Sequence, residues 1–185
     1  MELIFWTLII AIILVAFIFF YYFNRFAVLS NRIDNSLSQI DVQLKRRVDL
    51  IPNLIETVKG YAKHEREIMK SVNDARKALV GAKNLPARVK ADQGLESVLG
   101  KLFAIAENYP DLKANTNFIE LQRELASTED KVAYSRQFYN DSILSYNNLC
   151  TTIPGAFFAG IYRRKEKEYI QIAKSEKELV KVDFD

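Results

Sequence analysis

The stretch that most narrows what this chain can fold into is Leu3–Phe23, LIFWTLIIAIILVAFIFFYYF. It is 21 residues without a charge, and its only polar side chains are Thr7 and the tyrosines at its far end. As a helix it is about 31 Å long, close to the hydrocarbon thickness of a bilayer. The stretch therefore predicts a transmembrane helix. A cleaved signal peptide is the rival, but it needs a basic leader, an apolar core of about 7–15 residues and a small-residue cleavage site. Met1-Glu2 offers no Lys or Arg, and aromatics fill the end where small residues would be needed. Trp6 and Tyr21-Tyr22 suit the two interfacial belts, and Arg25, Arg32 and Lys45-Arg46-Arg47 follow the span. Positive residues stay in the cytoplasm, so the expected topology is a single pass with the N-terminus outside and the domain inside.

Beyond the span, 26 basic against 23 acidic residues leave no concentrated basic face of the kind that binds nucleic acid. Cys150 is single, so no internal disulfide forms. Four prolines and six glycines are few breakers, which favours long helices. The expected fold is all-α: the transmembrane helix continues into an antiparallel up-down four-helix bundle with long first and last helices. Ile33, Leu37, Ile40, Leu44, Val48, Ile51, Ile55 and Val58 recur at steps of 3 and 4, extending the first helix to about Lys59. Pro52 inside it predicts a kink, with Asn53 available to the carbonyl that Pro52 frees. Ile68, Val72, Ala75 and Leu79 mark a second helix over Glu65–Lys83. Leu95, Val98, Leu99, Leu102, Ile105 and Ala106 mark a third over Ala87–Glu107. A capping box at Asn117–Glu120 opens the fourth, which runs to Cys150 with a seam of period near 3.5. Thr128, Ser135 and Ser142 fall seven apart on that seam, where their hydroxyls can bond carbonyls one turn back. The expected segments are an anchor (1–25), the bundle (26–152), an apolar membrane-proximal piece (153–162) and a charged tail (163–185) with a short strand at Tyr169–Ile172.

No constellation for catalysis, a cofactor or a metal is expected. His64 with Glu65 and Glu67 is short of a zinc ligand set, and Cys150 has no neighbouring base. No glycine-rich phosphate loop is present. The densest polar run, Asp41, Lys45, Arg46, Arg47, Asp49, Asn53 and Glu56, is a candidate partner-binding surface. With Asp41/Lys45 and Lys45/Asp49 at i,i+4, the same run also fits a solvated helix face. Because the second and third helices are short, Ile33, Leu37 and Ile40 on the first helix and Tyr139, Ser142, Tyr146 and Leu149 on the last are expected to lie uncovered. They are candidate self-assembly or membrane-partner contacts. The piece at 153–162 either caps the bundle or returns to the bilayer. In the second case Phe157, Phe158 and Tyr162 insert, and Arg163, Arg164 and Lys165 meet lipid headgroups.

Three stretches carry a resemblance: Asp41–Glu65, DVQLKRRVDLIPNLIETVKGYAKHE; Asn108–Leu125, NYPDLKANTNFIELQREL; and Gln137–Leu149, QFYNDSILSYNNL. They resemble the LemA family of bacterial membrane proteins, and Ile153–Gly160 and the terminal Val182-Asp183-Phe184 are family-like. The resemblance implies an N-terminal anchor in the bacterial inner membrane, an antiparallel helical bundle and no catalytic residues. It points to partners only through links to magnetosome membranes and to gene neighbourhoods with membrane-bound peptidases. Two functions follow as expectations. One is a non-catalytic scaffold that assembles with itself or with a membrane partner. The other is an enzyme, or a regulator of one, whose site forms only across subunits or with a membrane-bound peptidase.

Overall fold

The computed structural model of the chain describes residues 1–170, and these are helical with no strand among them. The helices are α1 (Glu2–Tyr61), α2 (Arg66–Gly81), α3 (Leu85–Ala106), α4 (Pro110–Lys113), α5 (Thr116–Thr151) and α6 (Gly155–Ile161). They form two compact units. Among the described residues, one holds residues 1–33 with 139–170; the other is Asp34–Phe138. Tyr169 and Ile170 are not in a strand, and the rest of the expected strand lies outside the described residues.

In the first unit, α1 is the one helix among the described residues that is long and apolar enough to cross a membrane, and no residue of its apolar window is buried among them. Below that window Phe26, Leu29 and Ile33 pack with Ile143, Tyr146 and Ala159, flanked by Tyr139, Leu149, Phe158 and Tyr162. This corrects the expectation of an uncovered edge: Ile33, Ile40, Ser142 and Tyr146 are buried, while Leu37, Tyr139 and Leu149 are half-buried. The physical reason in this unit is α6, which turns back over the α1–α5 pair. The Phe158 ring stacks on Tyr22 at 4.6 Å, and the Tyr162 ring meets Phe19, Phe23 and Phe26 edge-on. The Tyr162 hydroxyl donates to the Phe19 carbonyl at 2.6 Å. Phe158 and Tyr162 are thus committed to α1, whereas Phe157 is 69% exposed. Arg163, Arg164 and Lys165 are also exposed.

In the second unit α2 and α3 pack along each other, joined by a turn that Asn84 caps by accepting from Ala87 N–H at 2.9 Å. Residues 110–113 form the single turn α4. The cap of α5 is Asn115 rather than Asn117: its side chain accepts from Phe118 N–H at 3.0 Å, and the helix begins at Thr116. Along the α5 seam Thr128 and Ser135 donate to the carbonyls of Leu125 and Lys131, both at 2.7 Å, as the hydroxyl chemistry predicts. Helix α1 runs through Pro52. The carbonyl that loses its helical donor there is Val48, four residues earlier, and it accepts from Arg76 Nε of α2 at 3.1 Å. Asn53 was the expected donor, but a guanidinium from the neighbouring helix fills the place.

The two glycines of α6 separate packing from helix propensity. A Cβ on Gly155 would lie 2.2 Å from the Leu149 carbonyl oxygen, whereas one on Gly160 meets nothing within 4 Å. Gly155→Ala should destabilise the membrane-proximal unit by about 1–3 kcal/mol through overpacking. Gly160→Ala should be neutral or stabilising, since alanine is the better helix former. Thermal melts of the two variants in one detergent should therefore move in opposite directions.

Candidate partner-binding groove

The second unit is held by an ionic cluster at its centre. Asp92 of α3 is 1% exposed, and its two oxygens take different guanidiniums: Arg47 of α1 at 2.8 Å and Arg136 of α5 at 2.7 Å. Arg47, 2% exposed, also lies 3.5 Å from Glu129. Arg47 and Arg136 are thus matched by Asp92 and Glu129, and Glu96 is a further carboxyl beside them. Burial, and then the charge of Glu129, push the Glu96 carboxyl above its ordinary 4.5. Arg47 is therefore the keystone of the interior and cannot meet a partner directly.

The other members of the expected polar run divide by direction. Arg46 turns to Glu124 of α5 at 2.8 Å, and Asp41 pairs with Arg88 of α3 rather than with Lys45. Lys45 and Asp49 pair at 2.9 Å, and Glu56 pairs with Lys59 at 2.6 Å. Asn53 is exposed. Asp41, Lys45, Asp49 and Glu56 line a furrow between α1 and α2, and Arg46, Arg47 and Asn53 do not.

Arg76, reaching across to Val48, stands between the two parts of this furrow. One part, about 460 Å³, is walled by Leu44, Val48, Leu79 and Val80, and its rim charges are largely paired with one another. The other, about 690 Å³, has Pro52, Ile55 and Met69 beside five cations, Lys59, Lys63, Arg66, Lys70 and Arg76, and a single carboxylate, Glu56. Lys59 is neutralised by Glu56. Lys63, Arg66 and Lys70 are exposed and have no ion-pair partner among the described residues. Sequence reasoning missed these cations because it followed the apolar face of α2. The signal was there: Lys59, Lys63, Arg66 and Lys70 are spaced 4, 3 and 4.

Among the described residues no group of three or more His, Cys, Asp or Glu is placed to hold a metal. The Cys150 thiol is pushed above its ordinary 9.0 by burial, with the Glu166 charge adding to it, the opposite of what a nucleophile needs. The arrangement is suited to binding: an apolar floor, an unpaired basic rim and a rigid ionic core beneath.

The sequence model described as the LemA family matches residues 36–184. The magnetosome protein MamQ of Magnetospirillum gryphiswaldense is 28% identical over 173 residues, covering 80% of this chain and 64% of that protein. Magnetosome protein MamQ 2 of Paramagnetospirillum magneticum is 27% identical over 175 residues, with coverage of 80% and 64%. Protein LemA of Metamycoplasma hominis is 27% identical over 158 residues, with coverage of 84% and 69%. The chain thus spans about 64% of the length of the magnetosome relatives.

Two outcomes test the ionic core. Asp92→Ala leaves Arg47 buried without its counter-charge and should cost about 3–5 kcal/mol, whereas replacing the whole triad, Arg47→Met and Arg136→Met with Asp92→Leu, should recover most of the loss, as measured by urea unfolding. Glu96 has a folded pKa above its unfolded one, so its contribution to stability is fully present below the unfolded value and is lost as pH rises through the folded one. The melting temperature should therefore decline across the interval above pH 4.5, and Glu96→Gln should flatten that decline.

Proposed function

This chain belongs to the LemA family, and on that premise we propose that it is a single-pass, membrane-anchored, non-catalytic adaptor that captures an acidic segment of a partner protein in the α1–α2 furrow. The observation that carries this reading is the trio Lys63, Arg66 and Lys70, exposed and unmatched beside the apolar Ile55 and Met69. Cations with no carboxylate of their own attract an anionic ligand, and the apolar floor supplies the desolvated contact that gives such a ligand affinity. A segment with Asp or Glu at helical spacing around one or two aliphatic residues has the matching chemistry.

Anchoring rests on Leu3–Phe23, whose apolar window has no buried residue, and the Arg25 and Arg32 flank favours a cytoplasmic domain in a bacterial inner membrane. The exposed Phe157 and the cationic Arg163, Arg164 and Lys165, next to the end of that span, are suited to the lipid interface and its anionic headgroups. The residues first assigned to self-assembly fill the chain's own interior to a large extent, so this reading gives them no partner-binding role.

Crosslinking in native membranes followed by affinity purification tests the groove. Charge reversal at Lys63, Arg66 and Lys70 to Glu should remove the captured partner while helix content stays unchanged. The same positions exchanged conservatively (Lys63→Arg, Arg66→Lys, Lys70→Arg) should retain it. Recovery should also fall when salt is raised well above the physiological 0.15 M, where the screening length is about 8 Å. Equal recovery of the same partners by the reversed and conservative variants would exclude the furrow as the binding surface.

A further inference from the structure

Helix α6 reads GAFFAGI and has no polar side chain. One of its faces belongs to the chain's own interior, where Gly155 and Ala159 are buried and Phe158 and Tyr162 meet α1. The other face is uncovered. Phe157 and Ile161, four residues apart, are exposed on it, and so is Ile153 in the turn that leads into the helix. A helix that is apolar all round is stable only where its surroundings are apolar too. The level of α6 along α1 points to the surroundings. The Tyr162 hydroxyl bonds the Phe19 carbonyl, about 6 Å inside the end of the apolar run at Phe23. Tyr22, Phe158 and Phe157 form a continuous row of rings, stacked at 4.6 Å and then edge-on at 5.4 Å. The exposed Phe157 thus extends the aromatic belt at the end of the span.

The three cations that follow α6 are held from both sides. On one side the Arg163 and Arg164 N–H groups donate to the Gly160 and Ala159 carbonyls at 3.2 and 2.9 Å, closing the helix. On the other, the Asn147 side chain of α5 accepts from Lys167 N–H at 2.8 Å and donates to the Lys167 carbonyl at 2.9 Å. Asn140 does the same to Ile170, at 2.9 and 3.2 Å. The segment between is therefore a strap fixed at both ends. Arg163, Arg164 and Lys165 are exposed on it, with no ion-pair partner among the described residues. We propose that Ile153, Phe157 and Ile161, with Arg163, Arg164 and Lys165, form a binding site for an anionic phospholipid of the membrane that holds the anchor. The acyl chain lies against the apolar face, and the phosphodiester meets the cations, whose long stems carry their charge from the hydrocarbon edge up to headgroup level. A zwitterionic lipid offsets its phosphate with an ammonium of its own, so the cations favour the anionic headgroup. A partner helix would cover the apolar face equally well, but would leave the cations at its edge unmatched. The site rests on the membrane anchoring proposed above for Leu3–Phe23 and is independent of the furrow.

Fluorescence quenching by brominated lipids tests the site. The chain has one tryptophan, Trp6, at the opposite end of the span. Full-length protein carrying Trp6→Phe and Phe157→Trp is reconstituted into vesicles of phosphatidylcholine and phosphatidylglycerol, with one or the other lipid brominated along its acyl chains. Both should quench the indole at position 157, with a preference for phosphatidylglycerol of about fivefold, the equivalent of one basic residue at an anionic surface. Adding Arg163→Gln, Arg164→Gln and Lys165→Gln should bring that preference to about one while quenching persists, since the apolar face and the main-chain bonds are untouched. Wild-type protein, read through Trp6, should show no preference. A chain that resists extraction by alkaline carbonate but whose position-157 indole is not quenched has α6 covered by protein instead of lipid, which overturns the site alone. Quenching that is blind to the headgroup does the same, as does a preference that survives loss of the cations or that Trp6 shows equally. A chain that alkaline carbonate strips from the vesicles overturns the anchor and the site together.

Discussion

Asp92 is the constraint on which the larger unit depends. A carboxylate buried to this degree is tolerable only with its charge matched and its lone pairs filled, and no single side chain does both. Arg47 from α1 and Arg136 from α5 take one oxygen each, so three helices are fixed at one level by one residue of α3. Sliding any of them by a turn would strand a charge in the interior. Apolar packing of Leu95, Leu99 and Leu102 tolerates such shifts more readily, because hydrophobic burial is non-directional. The ionic cluster thus supplies register, and the apolar stripes supply the bulk of the burial.

Pro52 has a comparable effect one step further out. It removes a helical donor, and the vacant Val48 carbonyl draws Arg76 across from α2. A long flexible side chain spanning two helices holds them together without filling the space on either side. The furrow therefore opens on both sides of Arg76, and the cations of α2 line its larger part. A residue that looks like a helix defect in isolation is thus tied to the contact that divides the furrow.

Much of the fold was legible because helical periodicity is local. The stripes on α1, α3 and α5 and the small polar residues of the α5 seam could be read from spacing alone. The placement of Arg47 could not. Its neighbours in sequence are charged and solvated, and only Asp92, 45 residues away, makes its burial affordable. The same limit hid the covered face of Ile33 and Tyr146. Helix lengths said that α2 and α3 would not reach it, but whether α6 turns back depends on Gly155 fitting against the Leu149 carbonyl. Of the candidate groove, the α1 side was visible as a charged run. The α2 side was not, because cations on a helix flank read as ordinary solvation until an apolar floor is found beside them.

A single principle connects the three features that sequence inspection missed. In each, a main-chain group is met by a side chain distant in sequence: the Val48 carbonyl, which Pro52 leaves without its helical donor, by Arg76; the Phe19 carbonyl by Tyr162, as a second bond; and the groups of Lys167 and Ile170 by the two asparagines. Main-chain groups are the same at every residue, so such contacts leave no pattern of hydrophobicity or charge to read. They do leave a physical requirement, since buried N–H and C=O groups are almost always satisfied. Asn147, nearly sealed from solvent and with both ends of its carboxamide bonded to one residue, shows how that requirement can be met by a strand instead of by a helix. It follows that the tail segment up to Ile170 is part of the folded membrane-proximal unit, although its charged composition alone would class it as solvated.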